Sequence, residues 1–203
     1  MSRKLLVLGT RNRKKVEELR PLLADLPLDL ALASDFPNVP EIEEDGDTFL
    51  ANAQKKACGV ARACGQWTLA EDSGLVVPTL GGEPGVQSAH YAGEHGADQA
   101  NNDKLLQKIA TVPPDRRDAY YVCVAALADP RGEIVAHFEG RCHGRILTER
   151  RGHGGFGYDP LFWVPEFHAS FGELSPLVKQ AISHRSRAIA RMRPDLVARL
   201  ELV

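Results

Sequence analysis

Nothing in this chain approaches the roughly 20 consecutive apolar residues that a bilayer span requires, so a membrane-spanning helix is excluded. An export signal is not expected either. The apolar run Leu5–Leu8 behind Met-Ser-Arg-Lys is too short for a secretory core, and Arg11 and Arg13 follow it at once. Cys58, Cys64, Cys123 and Cys142 form no CxxC pair, which argues against structural zinc. They read as reduced, mostly structural thiols of a cytoplasmic protein. Net charge is scarce as well: 25 Lys and Arg face 27 Asp and Glu, leaving −2. No global field draws such a chain to nucleic acid or to an anionic membrane, so neither is expected as a partner. An anionic ligand would have to be held by a local basic cluster. Internal repeats and low-complexity linkers are missing too.

What is present is an ordinary globular composition, 43% hydrophobic and 26% charged over 203 residues, enough for one domain. Leu5 to Gly9 suits a buried strand. Thr10 or Asn12 offers a helix cap, and Val16, Leu19, Leu22 and Leu23 recur at helical spacing, so residues 13–24 read as an amphipathic helix. Leu28 to Ala33 reads as a second strand. This strand–loop–helix–strand opening begins an α/β fold. Thr48 to Ala63 reads as a helix, and Thr68 to Glu71 as a strand ending at Asp72-Ser73-Gly74. Residues 78–100 are Gly-rich and irregular, and Asn101 to Ile109 is a short helix. The runs Ala119–Ala128 and Glu133–Gly140 flank Asp129-Pro130-Arg131-Gly132, a hairpin signal, with extension possible toward Ile146. Ser183 to Met192 reads as a last helix, with Pro194 limiting it.

Five segments carry chemistry. Thr10, Arg11, Asn12, Arg13, Lys14 and Lys15 place bases at a helix start, where free N–H groups favour an anion; a solvated basic helix start is the plainer alternative. Glu41 to Asp47 has five carboxylates in seven residues, a charge density that a divalent cation relieves and that magnesium suits, unless the loop merely caps the next helix. Glu71-Asp72-Ser73 lies at a strand end, where open α/β sheets place ligands; an ordinary turn is the alternative. Gly152 to Pro160 holds four Gly, lets backbone approach a ligand, and offers Phe156 and Tyr158 as stacking faces with Asp159 as acceptor. Lys179, His184 and Arg185 complete the set. Positive charge in the first turn after a cap at Ser183 opposes the helix dipole unless an anion or acceptor is near.

In this order, Thr10-x-Asn12-x-x-Lys15, the Glu-rich loop before Thr48-Phe49-x-x-Asn52-Ala53-x-x-Lys56-Ala57, Asp72-Ser73-Gly74-Leu75, Leu80-Gly81-Gly82-x-Pro84-Gly85-Val86, Phe156-Gly157-Tyr158-Asp159-Pro160 and Ile182-Ser183-His184-Arg185 resemble the inosine triphosphate pyrophosphatase, or Ham1-like, family over residues 4–192. The resemblance implies an elongated mixed central sheet flanked by helices, in one domain of two lobes with a nucleotide cleft between them. It implies a homodimer and a magnesium-dependent enzyme that hydrolyses ITP, dITP and XTP to monophosphate and pyrophosphate. By match, Thr10 to Lys15 bind the triphosphate, and Glu43 and Asp72 hold magnesium, with Asp72 accepting a proton from water. Ser73, Phe156, Gly157, Tyr158, Asp159, Lys179, His184 and Arg185 contact the nucleotide, and Lys56 joins Lys15 and Lys179 in offsetting phosphate charge. Two Gly of the usual phosphate loop are replaced by Arg11 and Lys14, and Glu71 stands where the family has Asp. Glu41, Glu43 and Glu44 are alternatives as metal ligands. A Maf-like enzyme acting on other modified nucleotides and a non-enzymatic nucleotide binder are the rival readings. On the family reading the charges divide into a phosphate-binding basic set and a metal-binding acidic set, and that acidic set argues against the non-enzymatic binder.

Overall fold

The structure, a computed structural model, describes residues 3–202. Seven strands, β1 (Lys4–Leu8), β2 (Leu28–Leu32), β3 (Thr68–Val76), β4 (Asp118–Ala128), β5 (Ile134–Ile146), β6 (Phe162–Val164) and β7 (Ala169–Ser170), form one sheet in the order β2-β1-β3-β4-β5-β6-β7. It is mixed: β1 pairs in parallel with β2 and β3, whereas β6 pairs antiparallel with β5 and β7. The helices are α1 (Arg13–Leu23), α2 (Phe49–Cys64), α3 (Asp98–Ile109), α4 (Pro176–Ile182) and α5 (His184–Arg199). No helix among the described residues is long and apolar enough to cross a membrane.

The chain divides into two compact units. The first takes the residues up to Asp72, Cys123–Gly140 and the chain from His184; the second takes Ser73–Val122 and Arg141–Ser183. In the first unit β1 is buried on both faces, as parallel strands are. Leu6 and Leu8 pack with Val16, Leu19 and Leu23 of α1 and Ile189 and Met192 of α5. Val7 points the other way, toward Ala33, Val39 and Val60 of α2. The second unit has its own core, in which Tyr121, Phe162 and Phe171 pack ring against ring at 4.7–5.8 Å.

Three expected boundaries move and one helix is new; the first shift is α3, which starts at Asp98 rather than Asn101. Pro194 does not end the last helix but lies inside α5. It occupies the solvent side, while Leu196 and Leu200 continue the buried stripe at 0% and 2% exposure. Each such side chain contributes about 1.5–3 kcal/mol by burial, which together offsets the roughly 3 kcal/mol an interior Pro costs. Arg193 adds bonds to the Leu22 carbonyl at 2.9 Å and to the Asp25 carboxylate at 2.6 Å. Strand β3 does not stop at Glu71 but runs through Asp72, Ser73 and Gly74 to Val76, because Leu75 is fully buried in the second core. Helix α4 was not anticipated. Its signal was Ser175-Pro176: the Ser175 hydroxyl accepts from Val178 N at 3.3 Å, and Pro176 holds the first helical position.

Candidate active site

Strand β3 carries the centre of the first unit's chemistry. Successive side chains of a strand point to opposite faces, so the adjacent carboxylates of Glu71 and Asp72 are sent apart. Glu71, 1% exposed, faces α1 and α5. Its Oε1 lies 3.1 Å from Lys15 Nζ and 3.1 Å from Arg185 Nη2, and Cys123 Sγ donates to its Oε2 at 3.3 Å. Arg185 is itself buried and also pairs with Glu18. Burial alone would raise the Glu71 pKa, but Arg185 and Lys15 outweigh it and hold the carboxyl well below its usual range. Burial would likewise lower Lys15, yet the Glu71 charge prevails and its pKa is raised.

Asp72 faces α2. Asn52 Nδ2 donates to its Oδ2 at 3.1 Å, and Lys56 Nζ stands 3.6 Å from its Oδ1. Asn52 and Lys56 are one turn apart, on the face that Ala53 and Ala57 bury. Thr48 caps this helix by accepting from Ala51 N at 3.1 Å. Asn52 also clasps Gly46, accepting from its N–H at 2.8 Å and donating to its carbonyl at 3.3 Å. The acidic loop is thereby fastened beside Asp72. The loop carboxylate brought there is Glu44, which pairs with Lys56, the same ammonium that stands beside Asp72. Burial raises the Asp72 pKa to about 6; Lys56 and Lys15 pull it down, and Glu44 and Glu71 push it up.

The residues expected at the phosphate end fall into distinct roles. Asn12 is the α1 cap: its Oδ1 accepts from Lys14 N at 3.0 Å and Lys15 N at 3.3 Å, so the side chain occupies two of the free amides of that helix start. Thr10 Oγ1 accepts from Asn12 N at 3.2 Å, and Arg11 donates to the Val39 carbonyl at 3.0 Å. Arg13 and Lys14 are exposed. Glu43 and Glu44 are both exposed; of the two it is Glu44 that pairs with Lys56 beside Asp72. One expectation needs correcting. The acidic and basic sets are not separate: Lys15, Lys56 and Arg185 each pair with carboxylates of the acidic set or with Glu18. The anion that the first turn of α5 demanded is supplied by the protein. Glu18 gave no signal in the sequence, since it lies within an ordinary amphipathic helix.

In the second unit the Gly-rich loop closes on Asp159. Its Oδ2 accepts from Phe156 N at 2.8 Å and from Lys179 Nζ at 2.5 Å. The Lys179 ammonium lies 4.9 Å from the Phe156 ring centroid, within cation–π range. Gly155 has φ +72°, and a Cβ there would stand 1.9 Å from Asp159 Oδ2, so only Gly permits the contact. Phe156 is half-buried, with part of its surface accessible. Tyr158 is not available as a stacking face. It is 2% exposed in the second core, with its hydroxyl donating to the Ser88 carbonyl at 2.9 Å. Ser73 is half-buried on β3, and His184, the first residue of α5, is buried.

A buried carboxylate with a pKa raised to about 6 beside the Lys56 ammonium suits proton transfer next to a polyanion. The model of the Ham1 family matches residues 6–195. The chain belongs to the Ham1 family. It is 53% identical over 192 residues to a dITP/XTP pyrophosphatase of Rhodopirellula baltica, covering 95% of this chain and 92% of the relative. A dITP/XTP pyrophosphatase of Geobacter sulfurreducens is 49% identical over 191 residues, covering 94% and 96%. Among solved structures, a HAM1 protein from Coxiella burnetii superposes with a TM-score of 0.87 at 37% identity, over 96% of this chain and 99% of that one. The Ham1 protein of Staphylococcus aureus gives 0.85 at 36%, over 97% and 100%. Among the described residues of this Ham1-family chain, no group of three His, Cys, Asp or Glu side chains is arranged to hold a metal.

Proposed function

We propose that this Ham1-family protein is a nucleoside-triphosphate pyrophosphatase that splits dITP, ITP and XTP into the monophosphate and pyrophosphate. Asp72 carries the reading. It is a buried carboxyl raised to about 6, oriented by Asn52 and flanked by Lys56 and Glu44. At neutral pH such a group is deprotonated yet basic enough to take a proton from the attacking water. Lys15 and Lys56 offset the charge of the phosphates, and the bond between the α and β phosphates breaks with pyrophosphate leaving. Phe156, Lys179 and Asp159 take the nucleoside end.

The reading assigns magnesium to Asp72 and Glu44. Two hard carboxylates share the Lys56 ammonium there, a cation where a cation is needed. Magnesium suits one or two carboxylates together with waters and substrate phosphates. Bound there, it would neutralise phosphate oxygens and acidify water. The same reading takes the enzyme as a cytoplasmic homodimer without a nucleic-acid partner.

The deciding assay offers dITP, ITP, XTP, dATP, ATP and GTP with magnesium, and again with chelator. Expected are equimolar monophosphate and pyrophosphate from the first three, with kcat/KM above that for ATP by about 100-fold or more. Chelation should abolish turnover. Orthophosphate as product, or equal rates on ATP, would overturn the proposal. Nucleotide bound tightly but never cleaved would favour a sensor.

Base choice rests on polarity. Hypoxanthine and xanthine present a keto oxygen at C6, where adenine presents an amino group. A donor from His184 fits the first and opposes the second. His184→Ala should therefore lower the preference for ITP over ATP by about tenfold. An unchanged ratio of kcat/KM values would remove His184 from that role.

A further inference from the structure

Both backbone polar groups of Gly157 are taken up by one helix. Its N–H donates to Asp98 Oδ2 at 3.0 Å, and its carbonyl accepts from Asn102 Nδ2 at 2.7 Å. Asp98 and Asn102 are four apart in α3, so they stand one above the other on the same face. Asn102 spends its second N–H on the Asp98 carbonyl at 2.6 Å. Its Oδ1 is left buried with no partner among the described residues. A buried acceptor without a partner is unfavourable, so this side chain is oriented for its donors rather than for its own full satisfaction.

The clasped peptide occupies a position that matters. Gly157 has φ +61°, a left-handed conformation that leaves its N–H and carbonyl to be fixed from outside the loop. It directly follows Phe156. The Phe156 N–H is fixed on Asp159, and Lys179 binds that same carboxylate oxygen. The loop is thus pinned at three consecutive peptides: one to Asp159 inside the loop, the next two to α3. With these pins in place the Phe156 ring and the Lys179–Asp159 pair hold one arrangement before any ligand arrives.

We infer that Asp98 and Asn102 are positioning residues that preorganise the Phe156–Asp159 loop for the nucleobase and so set base affinity and discrimination without touching the substrate. The inference rests on the functional reading above, in which that loop meets the nucleoside end. Holding a loop in its bound conformation lowers the ordering cost of binding. Its loss is therefore felt in KM and in the ratio between bases more than in the chemical step.

The test compares wild type, Asn102→Ala, Asn102→Leu, Asp98→Ala and Asp98→Asn on dITP and dATP, with circular dichroism and melting as controls for folding. Asn102→Leu keeps most of the volume and removes the unpartnered acceptor, so it remains informative should the Ala variant fold poorly. Both Asn102 variants and Asp98→Ala should raise KM for dITP about tenfold with kcat changed less than about threefold, and should narrow the dITP-to-dATP preference about fivefold. Asp98→Asn retains an oxygen that accepts from Gly157 N–H and should stay within about twofold of wild type. A wild type active on dITP whose variants leave KM and preference unchanged, or lower kcat equally for both nucleotides, would overturn the positioning role while leaving the activity intact. A wild type that releases no pyrophosphate from dITP would instead overturn the functional reading itself, and the inference with it.

Discussion

Asp72→Asn should lower kcat for dITP by about a thousandfold while nucleotide binding persists, and in chelator at pH 8 it should make the protein more stable. Both effects come from the same cause. The Asp72 carboxyl is 6% exposed, and burial, with Glu44 from the loop and Glu71 from β3, pushes its pKa up to about 6 against Lys56 from α2 and Lys15 from α1. The proton affinity that suits it to accept from water means that the folded state disfavours its charge. A folded pKa raised above the unfolded 3.8 gives a stability contribution that is complete below that value and lost as pH rises toward about 6. Above pH 6 the wild type therefore carries a penalty on the order of 3 kcal/mol that the neutral amide does not. Asn also keeps an oxygen to accept from Asn52. The variant's advantage in melting temperature should be present at pH 8 and absent near pH 4. Near-normal turnover would remove Asp72 from its role. A variant less stable than wild type at pH 8 would mean that the Lys56 pairing outweighs desolvation.

How much of this was legible beforehand depends on the kind of residue. The opening strand, α1 with its Asn12 cap and α2 with its Thr48 cap were readable because apolar spacing and capping chemistry are local signals. So was the turn at Asp129, where Gly132 N–H donates back to the Asp129 carbonyl at 2.8 Å. The extent of β3 was not, since Asp72-Ser73-Gly74 is a turn composition in isolation and only tertiary burial of Leu75 makes it strand. Pro194 misled for the same reason. At the site, motif order named Asp72, Lys15, His184 and Arg185, but not which face of the strand each meets. That Glu71 and Asp72 diverge follows from a period of two, once the strand is known to continue past them. The basic first turn of α5 demands an anion, and the sequence reading took the nucleotide to supply it. Glu18 and Glu71 meet that demand through pairings 167 and 114 residues apart in sequence, a separation no local pattern encodes. Glu44 over Glu43 is likewise a tertiary choice, made when Asn52 fixes Gly46.

Glu71→Gln should be the most damaging single change to stability outside the hydrophobic core. The Glu71–Arg185 pair is 1% exposed on both sides, with Lys15 on the same carboxylate oxygen. Removing one member of a buried ionic set strands the rest, at a cost of about 3–5 kcal/mol. For a chain of this size that corresponds to a fall of about 10 °C in melting temperature. The sign of the pH dependence is opposite to that of Asp72. The folded Glu71 pKa lies well below 4.5, so its stabilisation is present above that unfolded value and is lost only as pH falls through the lower folded one. The gap between wild type and variant should stay constant from pH 8 to pH 5 and close in stronger acid. A loss of under 2 °C at pH 7, on the same scaling of about 2–4 °C per kcal/mol, would mean that Glu18 alone satisfies Arg185. The change also reaches the chemistry. Glu71 raises the Asp72 pKa, and its pairing masks the Lys15 charge that would lower it. Taking the Glu71 charge away acts on Asp72 in one direction by both routes, so the acidic limb of kcat/KM should move to lower pH in the variant that folds. A purely structural Glu71 would lower the melting temperature and leave that limb where it was.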